Sequence, residues 1–202
     1  MKRTGWIVLA AVAVVVVVVA GRLFGSYNEL VTAREAVTNG WAEVDNQLQA
    51  RSSKLGNLAE TVKGTALQEQ EVFGEIARAR AALAGARAPA DAIAADQAMT
   101  SALSRLLVVV ENYPQLRSNE AFLTLMDEVS GIENRLAVAR NRYNEVVQGF
   151  NVMVKRFPTN LYAGLLGFAA EPYYPVAEEA KATPKLDFSG IRQPDAPATP
   201  AK

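Results

Sequence analysis

In 202 residues the chain has no cysteine and no histidine. Without cysteine there is no disulfide, no thiolate nucleophile and no zinc–cysteine site, and the redox compartment leaves no mark on the sequence. Without histidine, Ser–His and Cys–His nucleophile pairs are impossible, as are most zinc and iron sites. An excess of one charge is lacking as well. Basic and acidic residues number 21 each, so there is no electrostatic case for nucleic acid. There is no phosphate loop either, because Gly164-x-x-Gly167 has neither the strand-to-helix setting nor the lysine. Carboxylates, lysine, hydroxyls and tyrosine are all that remain for chemistry. The expectation is a protein that is not an enzyme, with no cofactor, no metal and no small-molecule substrate.

What is present is heptad patterning. Between Ser118 and Phe157, the positions Phe122, Leu125, Val129, Ile132, Leu136, Ala139, Tyr143, Val146, Phe150, Met153 and Phe157 are all apolar or small. Spaced three then four apart, they form the seam of one long helix packed along another. Ser118 or Asn119 is the expected N-cap. Pro158 is the stop, since the residue before a proline is driven out of the helical region. A second seam runs from Tyr27 through Leu30, Arg34, Val37, Trp41, Val44, Leu48, Arg51, Leu55 and Leu58 to Val62. It predicts a helix over 27–63 with Gly64 at the C′ position. Thr65 and Gln68 then match a capping box for a helix over 66–84, with Phe73, Ile76, Arg80 and Leu83 on one face. After a turn holding Pro89, a third helix is expected over 92–112, with Met99, Leu103, Leu106 and Val110 on its seam.

Ahead of the first seam, Met1-Lys2-Arg3 is a basic head, and no charge occurs from Thr4 to Gly21. About twenty apolar residues span a hydrocarbon core of about 30 Å as a helix. The valine run is a poor helix former in water, but lipid enforces the helix because the backbone has no other partner. Trp6 fits an interfacial belt. The rival reading is a cleaved signal peptide, with Val18-Val19-Ala20 as the cleavage site. The length of the apolar run and the lack of a linker before the next helix favour the anchor. Lys2 and Arg3, set against Arg22 and Arg34, tilt the positive-inside balance slightly toward a cytoplasmic N-terminus and a body outside the cytoplasm.

At the other end, the apolar stretch from Leu161 to Phe168 is too short to span a membrane, and is expected to dock on the end of the body or on the membrane surface. Prolines at 172, 175, 184, 194, 197 and 200 mark the chain from Glu171 on as a disordered tail, within which Leu186-Asp187-Phe188 offers a local docking motif. The expected organisation is a basic head at 1–4, a transmembrane helix at 5–24, a helical bundle at 25–168 and a Pro/Ala-rich tail at 169–202. The fold class is all-α: a membrane helix continuing into an antiparallel up-and-down four-helix bundle with long first and fourth helices.

The residues also resemble a family. Tyr27-Asn28-x-Leu30-Val31, Trp41-x-x-Val44-Asp45-x-Gln47-Leu48-x-x-Arg51 and Asn57-Leu58-x-Glu60-Thr61-Val62-Lys63-Gly64 are similar to LemA family sequences. So are Glu111-Asn112-Tyr113-Pro114-x-Leu116, Asn119-x-x-Phe122, Glu133-Asn134, Ala139-Arg140-x-x-Tyr143-Asn144, Asn151 and Phe157-Pro158, in the family's order. Gly56 stands where the family usually has proline, and Thr65 and Gln68 replace a usual tyrosine and histidine. The resemblance implies a bacterial, membrane-anchored, up-and-down four-helix bundle without established catalytic residues, some of whose relatives are linked to membrane-organelle assembly.

The charged seam positions are the sharpest candidates for a site. Pairing Tyr27 with Phe157 sets an antiparallel register in which Arg51 faces Glu133 and Asp45 faces Arg140. Charged groups inside a seam fix alignment at some cost in stability. That reading is preferred to a ligand site, because nothing else converges there. The asparagines Asn134, Asn141, Asn144 and Asn151 are read as surface or inter-helix hydrogen bonders. Gly21-x-x-x-Gly25 has the spacing of close membrane-helix approach, weakened by Arg22 between the glycines. Asp127-Glu128 and Glu69-x-Glu71 are read as solvated helix faces. The anchor, the absence of histidine and cysteine and the long helices lead to the expectation of a membrane-anchored scaffold, which the resemblance implies is bacterial and of the inner membrane, contacting lipid through its N-terminal helix and binding protein partners or copies of itself. The alternatives are a regulatory accessory subunit of a membrane protease or signalling complex, and a hydrolase acting on envelope polymers with paired carboxylates.

Overall fold

The computed structural model describes residues 2–66 and 68–175. Its elements are α1 (Lys2–Lys63), α2 (Gln70–Gly85), α3 (Pro89–Glu111), the single turn α4 (Pro114–Arg117) and α5 (Glu120–Lys155), then 3-10 turns at Thr159–Leu161 and Gly164–Leu166. No strand occurs among the described residues. The chain is thus all-helical with an apolar N-terminal helix. α1 is unbroken over 62 residues, a rod of about 93 Å at 1.5 Å per residue. Among the described residues no other element covers its first part, and Trp6, Val14 and Val17 are exposed. α3 is also long and apolar enough to cross a membrane. Its Met99, Ala102, Leu106 and Val110, however, are buried in the core.

α1 and α5 lie side by side, antiparallel, in one register along their shared length. Trp41 packs edge-on against Tyr143, with ring centroids 5.4 Å apart. Arg135 Nε donates to Gln47 Oε1 at 3.4 Å, and Lys54 pairs with Glu128 at 2.7 Å. Val37, Val44, Leu48, Leu55, Leu58 and Val62 of α1 are buried, as are Phe122, Val129, Ile132, Leu136, Ala139 and Tyr143 of α5. Toward the end of α5 the buried stripe drifts. Val147, Phe150 and Asn151 are buried there, whereas Met153 and Phe157 are exposed. A straight helix turns through 3.6 residues and slips out of a 3.5-residue seam unless it supercoils. Tyr27 therefore meets Phe168 (centroids 5.8 Å apart) and not Phe157.

The N-terminal boundary of α5 is as expected, and several other boundaries differ from the sequence expectation. Asn119 caps α5, its Oδ1 accepting from Phe122 N at 3.1 Å. The helix stops at Lys155, before the residue that Pro158 constrains. Gly64 is not left-handed, since Gly167 alone among the described residues has positive φ. α1 closes instead with the N–H groups of Thr65 and Ala66 both on Val62 O. Ala66 is buried there, so the residues of the expected capping box form a turn, and α2 begins at Gln70 without a side-chain cap. Leu67 lies outside the described residues. The buried face of α2 is Val72, Ile76, Ala79 and Leu83, and Arg80 is exposed. α3 begins three residues early, at Pro89, whose fixed φ suits a first helical turn.

α2 has 16 residues and α5 has 36, about 24 Å against about 54 Å. The α2–α3 hairpin is thus too short to cover the α1–α5 pair along its whole length. Near the apolar part of α1 the chain's own return segment covers it: Ala163, Phe168 and Tyr174 are buried. Gly167, at φ 79°, makes the turn, and its carbonyl accepts from Arg34 Nη1 at 2.9 Å. Residues 171–175, expected as the start of a disordered tail, instead run along α5 as an extended strap. Asn151 exchanges two hydrogen bonds with the backbone of Glu171, both 2.8 Å. Asn144 does the same with Tyr174, at 2.8 and 3.1 Å. Seven helical residues rise about 10.5 Å and three extended ones span about 10 Å, so the spacings match. The rest of the tail, with Leu186-Asp187-Phe188, lies outside the described residues.

Candidate functional site: the Asp96 charge cluster

Where the strap and the α2–α3 hairpin meet, four segments bring their polar groups together around Asp96. Asp96 interrupts the inner face of α3, between Ala92 and Met99, and is only 4% exposed. Arg51, in the α1 seam, is 3% exposed. Its Nη1 donates to Asp96 Oδ1 at 2.5 Å and to Thr100 Oγ1 at 3.1 Å. Its Nε lies 2.5 Å from Glu133 Oε1 of α5, but off the hydrogen-bonding direction, so that contact is ionic and not a directed hydrogen bond. Arg140 of α5 pairs through Nη2 with Asp96 Oδ2. Tyr174 of the strap donates its hydroxyl to the same oxygen at 2.6 Å, and the Arg140 guanidinium lies over the Tyr174 ring, 4.6 Å from its centroid.

Of the four residues singled out in the sequence, the structure brings Arg51 to Glu133 and gives Arg140 a different partner. Asp45 is half-buried and makes no ion pair among the described residues. The expected Asp45–Arg140 pairing is corrected to Asp96–Arg140, because α3 lays a carboxylate closer to Arg140 than α1 does. Considering only α1 and α5 hid that partner. A signal was available: Asp96 falls on the apolar stripe Ala92, Ala95, Met99, the same kind of interruption that marks Arg51. Tyr174 carried only the weak signal of an aromatic pair, Tyr173-Tyr174, inside a proline-rich stretch. Asn144 and Asn151 hold the strap, whereas Asn134 and Asn141 are exposed.

Chemically the cluster is balanced in charge, although Arg51 Nε, Glu133 Oε1 and Arg140 Nε make no directed hydrogen bond among the described residues. Two guanidinium groups face two carboxylates, and each carboxylate is in contact with Arg51. Among the described residues no group of three or more acidic side chains is placed to hold a metal ion. Burial pushes the Tyr174 hydroxyl well above its ordinary pKa, the Asp96 charge and hydrogen bond add to this, and Arg140 opposes it in part. Burial, then the Glu171 charge, raises Tyr143 as well. A tyrosine whose folded pKa lies above its unfolded value of about 10 stabilises the fold fully below that pH. Above it the unfolded chain loses the proton first, the folded state binds more protons, and stability falls as pH rises. Unfolding measured from pH 8 to pH 11 is expected to show that decline, and Tyr174→Phe should make it shallower.

The LemA family profile matches residues 40–188. The chain is similar to magnetosome protein MamQ 2 of Paramagnetospirillum magneticum strain AMB-1, 25% identical over 200 residues, covering 85% of this chain and 74% of that protein. Its similarity to magnetosome protein MamQ of Magnetospirillum gryphiswaldense strain MSR-1 is 23% identity over 189 residues, covering 79% and 70%.

Proposed function

Because the chain belongs to the LemA family, we propose that it is a membrane-anchored, non-enzymatic scaffold or interaction protein of the bacterial envelope. On this reading residues 5–24 cross the inner membrane once and the helical body stands outside the cytoplasm. α1, α2, α3 and α5 then form an antiparallel up-and-down four-helix bundle. The carrying observation is that α1 runs without a break from the apolar segment into the body. A partner bound to the body is then held at a fixed distance from the bilayer, with no flexible linker between. The similar MamQ proteins are named magnetosome proteins, which supports a part in a cellular structure rather than in turnover of a substrate. The Asp96 cluster fits the same role, since its charges are spent on one another and set the alignment of α1, α3, α5 and the strap.

The expected result of an alkaline carbonate wash is retention of the chain in the membrane pellet, because apolar burial and not charge holds a spanning helix. Release by the wash, together with a mature N-terminus at Gly21, would establish the cleaved-signal alternative. Cross-linking in native membranes is expected to trap partners or copies, and a strictly monomeric, partner-free protein would remove the scaffold role.

A further inference from the structure

The base of the helical body, at the exit of the apolar helix, presents apolar side chains that the fold does not use. A cleft of about 970 Å³ opens there between two parts of the chain far apart in sequence. One wall is α1, with Val18, Gly21 and Gly25, and the other includes Phe157, Leu161 and Tyr162. Among the described residues nothing lies within 4 Å of where a Cβ on Gly21 or Gly25 would sit, so the cleft is open to them on the α1 side. The level of the second wall is pinned by hydrogen bonds. Tyr162 donates its hydroxyl to Ser26 Oγ at 2.7 Å, and Ser26 Oγ lies 3.4 Å from Thr159 Oγ1. Ser26 is two residues beyond the end of the 5–24 span, about 3 Å along a helix. A headgroup layer is about 5–8 Å deep on each side of the hydrocarbon. Whatever touches α1 at Ser26 therefore lies within that layer.

At this level Phe157 is 73% exposed and Leu161 67%. Phe24 is exposed on α1 itself. Clustered exposed apolar groups of this kind mark a contact surface. Their neighbours in the cleft indicate which surface: Arg22 and Arg156 line it, with Glu29 as the acidic group. Apolar side chains flanked by long basic ones, at the end of a membrane-spanning segment, are the composition of an interfacial element.

We propose that the base of the helical body is a second membrane contact, in which Phe157 and Leu161 seat between headgroups and acyl chains beside α1 while Arg22 and Arg156 face lipid phosphate. This rests on the reading of residues 5–24 as a membrane span. A single spanning helix leaves the body free to rotate about α1 and to tilt. A contact on one side of that helix sets which face of the body lies toward the bilayer and which faces are left for partners.

The native chain has no cysteine, so single thiols report one position each. Full-length Leu161→Cys, Val12→Cys and Val108→Cys chains are labelled with a polarity-sensitive fluorophore and reconstituted in phosphatidylcholine–phosphatidylglycerol vesicles carrying nitroxide lipids at headgroup or mid-acyl depth. The Leu161 label is expected to shift to the blue and to be quenched by the headgroup-depth nitroxide. The Val12 label should be quenched at mid-acyl depth, and the Val108 label, at the far end of α3, by neither. A quenched Val12 label with a water-exposed Leu161 label overturns the second contact and leaves the membrane span standing. A Leu161 label shielded from water yet unquenched by lipid means that a protein occupies the base, which also overturns it. An unquenched Val12 label removes the span itself, and the inference with it.

Discussion

Asp96→Ala is expected to destabilise the helical body by about 3–5 kcal/mol, the usual cost of removing one partner from a buried ion pair. The carboxylate accepts from Arg51, Arg140 and Tyr174 at once. Its loss leaves Arg51, which is nearly fully buried, with Thr100 Oγ1 as acceptor and Glu133 as its remaining carboxylate, and Glu133 has a side chain 36% exposed. Arg140 is better placed to recover, because its partly exposed end can turn to water. In chemical or thermal unfolding of the full chain in detergent, followed by circular dichroism, the midpoint should fall by roughly 10 °C. Glu133→Ala should cost less, since a partly exposed carboxylate contributes less to a pair. Combining Arg51→Met with Asp96→Leu should cost less than the two singles together, because each removes the other's unpaired charge. Strict additivity in that cycle would mean that the four segments are not coupled through Asp96.

The second large effect is expected from shortening the chain within the strap. A chain ending at Ala170 should be less stable than one ending at Ala177 by about 3 kcal/mol. Six hydrogen bonds tie residues 171–174 to α3 and α5, each worth about 1 kcal/mol net. Burial of the Tyr174 ring adds about 2 kcal/mol. Ordering five backbone residues costs about 5 kcal/mol in the opposite direction. The difference is a large fraction of a net stability of about 5–15 kcal/mol, and the truncation also exposes the α1–α5 seam where α2 and α3 do not reach. Equal unfolding midpoints for the two chains would mean that the strap does not stabilise the body.

The heptads by themselves determined that two long helices pair, their antiparallel register, and that Arg51 would sit in the seam near Glu133. These follow from periodicity, which is local and survives in a one-dimensional record. Composition alone likewise marked the apolar N-terminal helix and removed histidine and cysteine chemistry. Helix ends were less legible. Thr65 and Gln68 have the spacing of a capping box, yet Ala66 is drawn into the core and a turn takes their place. The early stop of α5 and the drift of its buried stripe onto Val147 and Asn151 depend on how the helix coils against its neighbour, which no residue states on its own.

The centre of the charge cluster was decided by the tertiary structure alone. Asp96 and Tyr174 are 78 residues apart, and their meeting depends on the hairpin of α2 and α3 reaching the level of Tyr174. Proline content marked residues 171–175 as unstructured because composition counts what a segment can bury by itself. The strap buries little by itself. It is ordered because Asn144 and Asn151, one heptad apart on α5, offer amide groups at the spacing of an extended backbone, and because the short hairpin leaves apolar surface that this part of the chain covers.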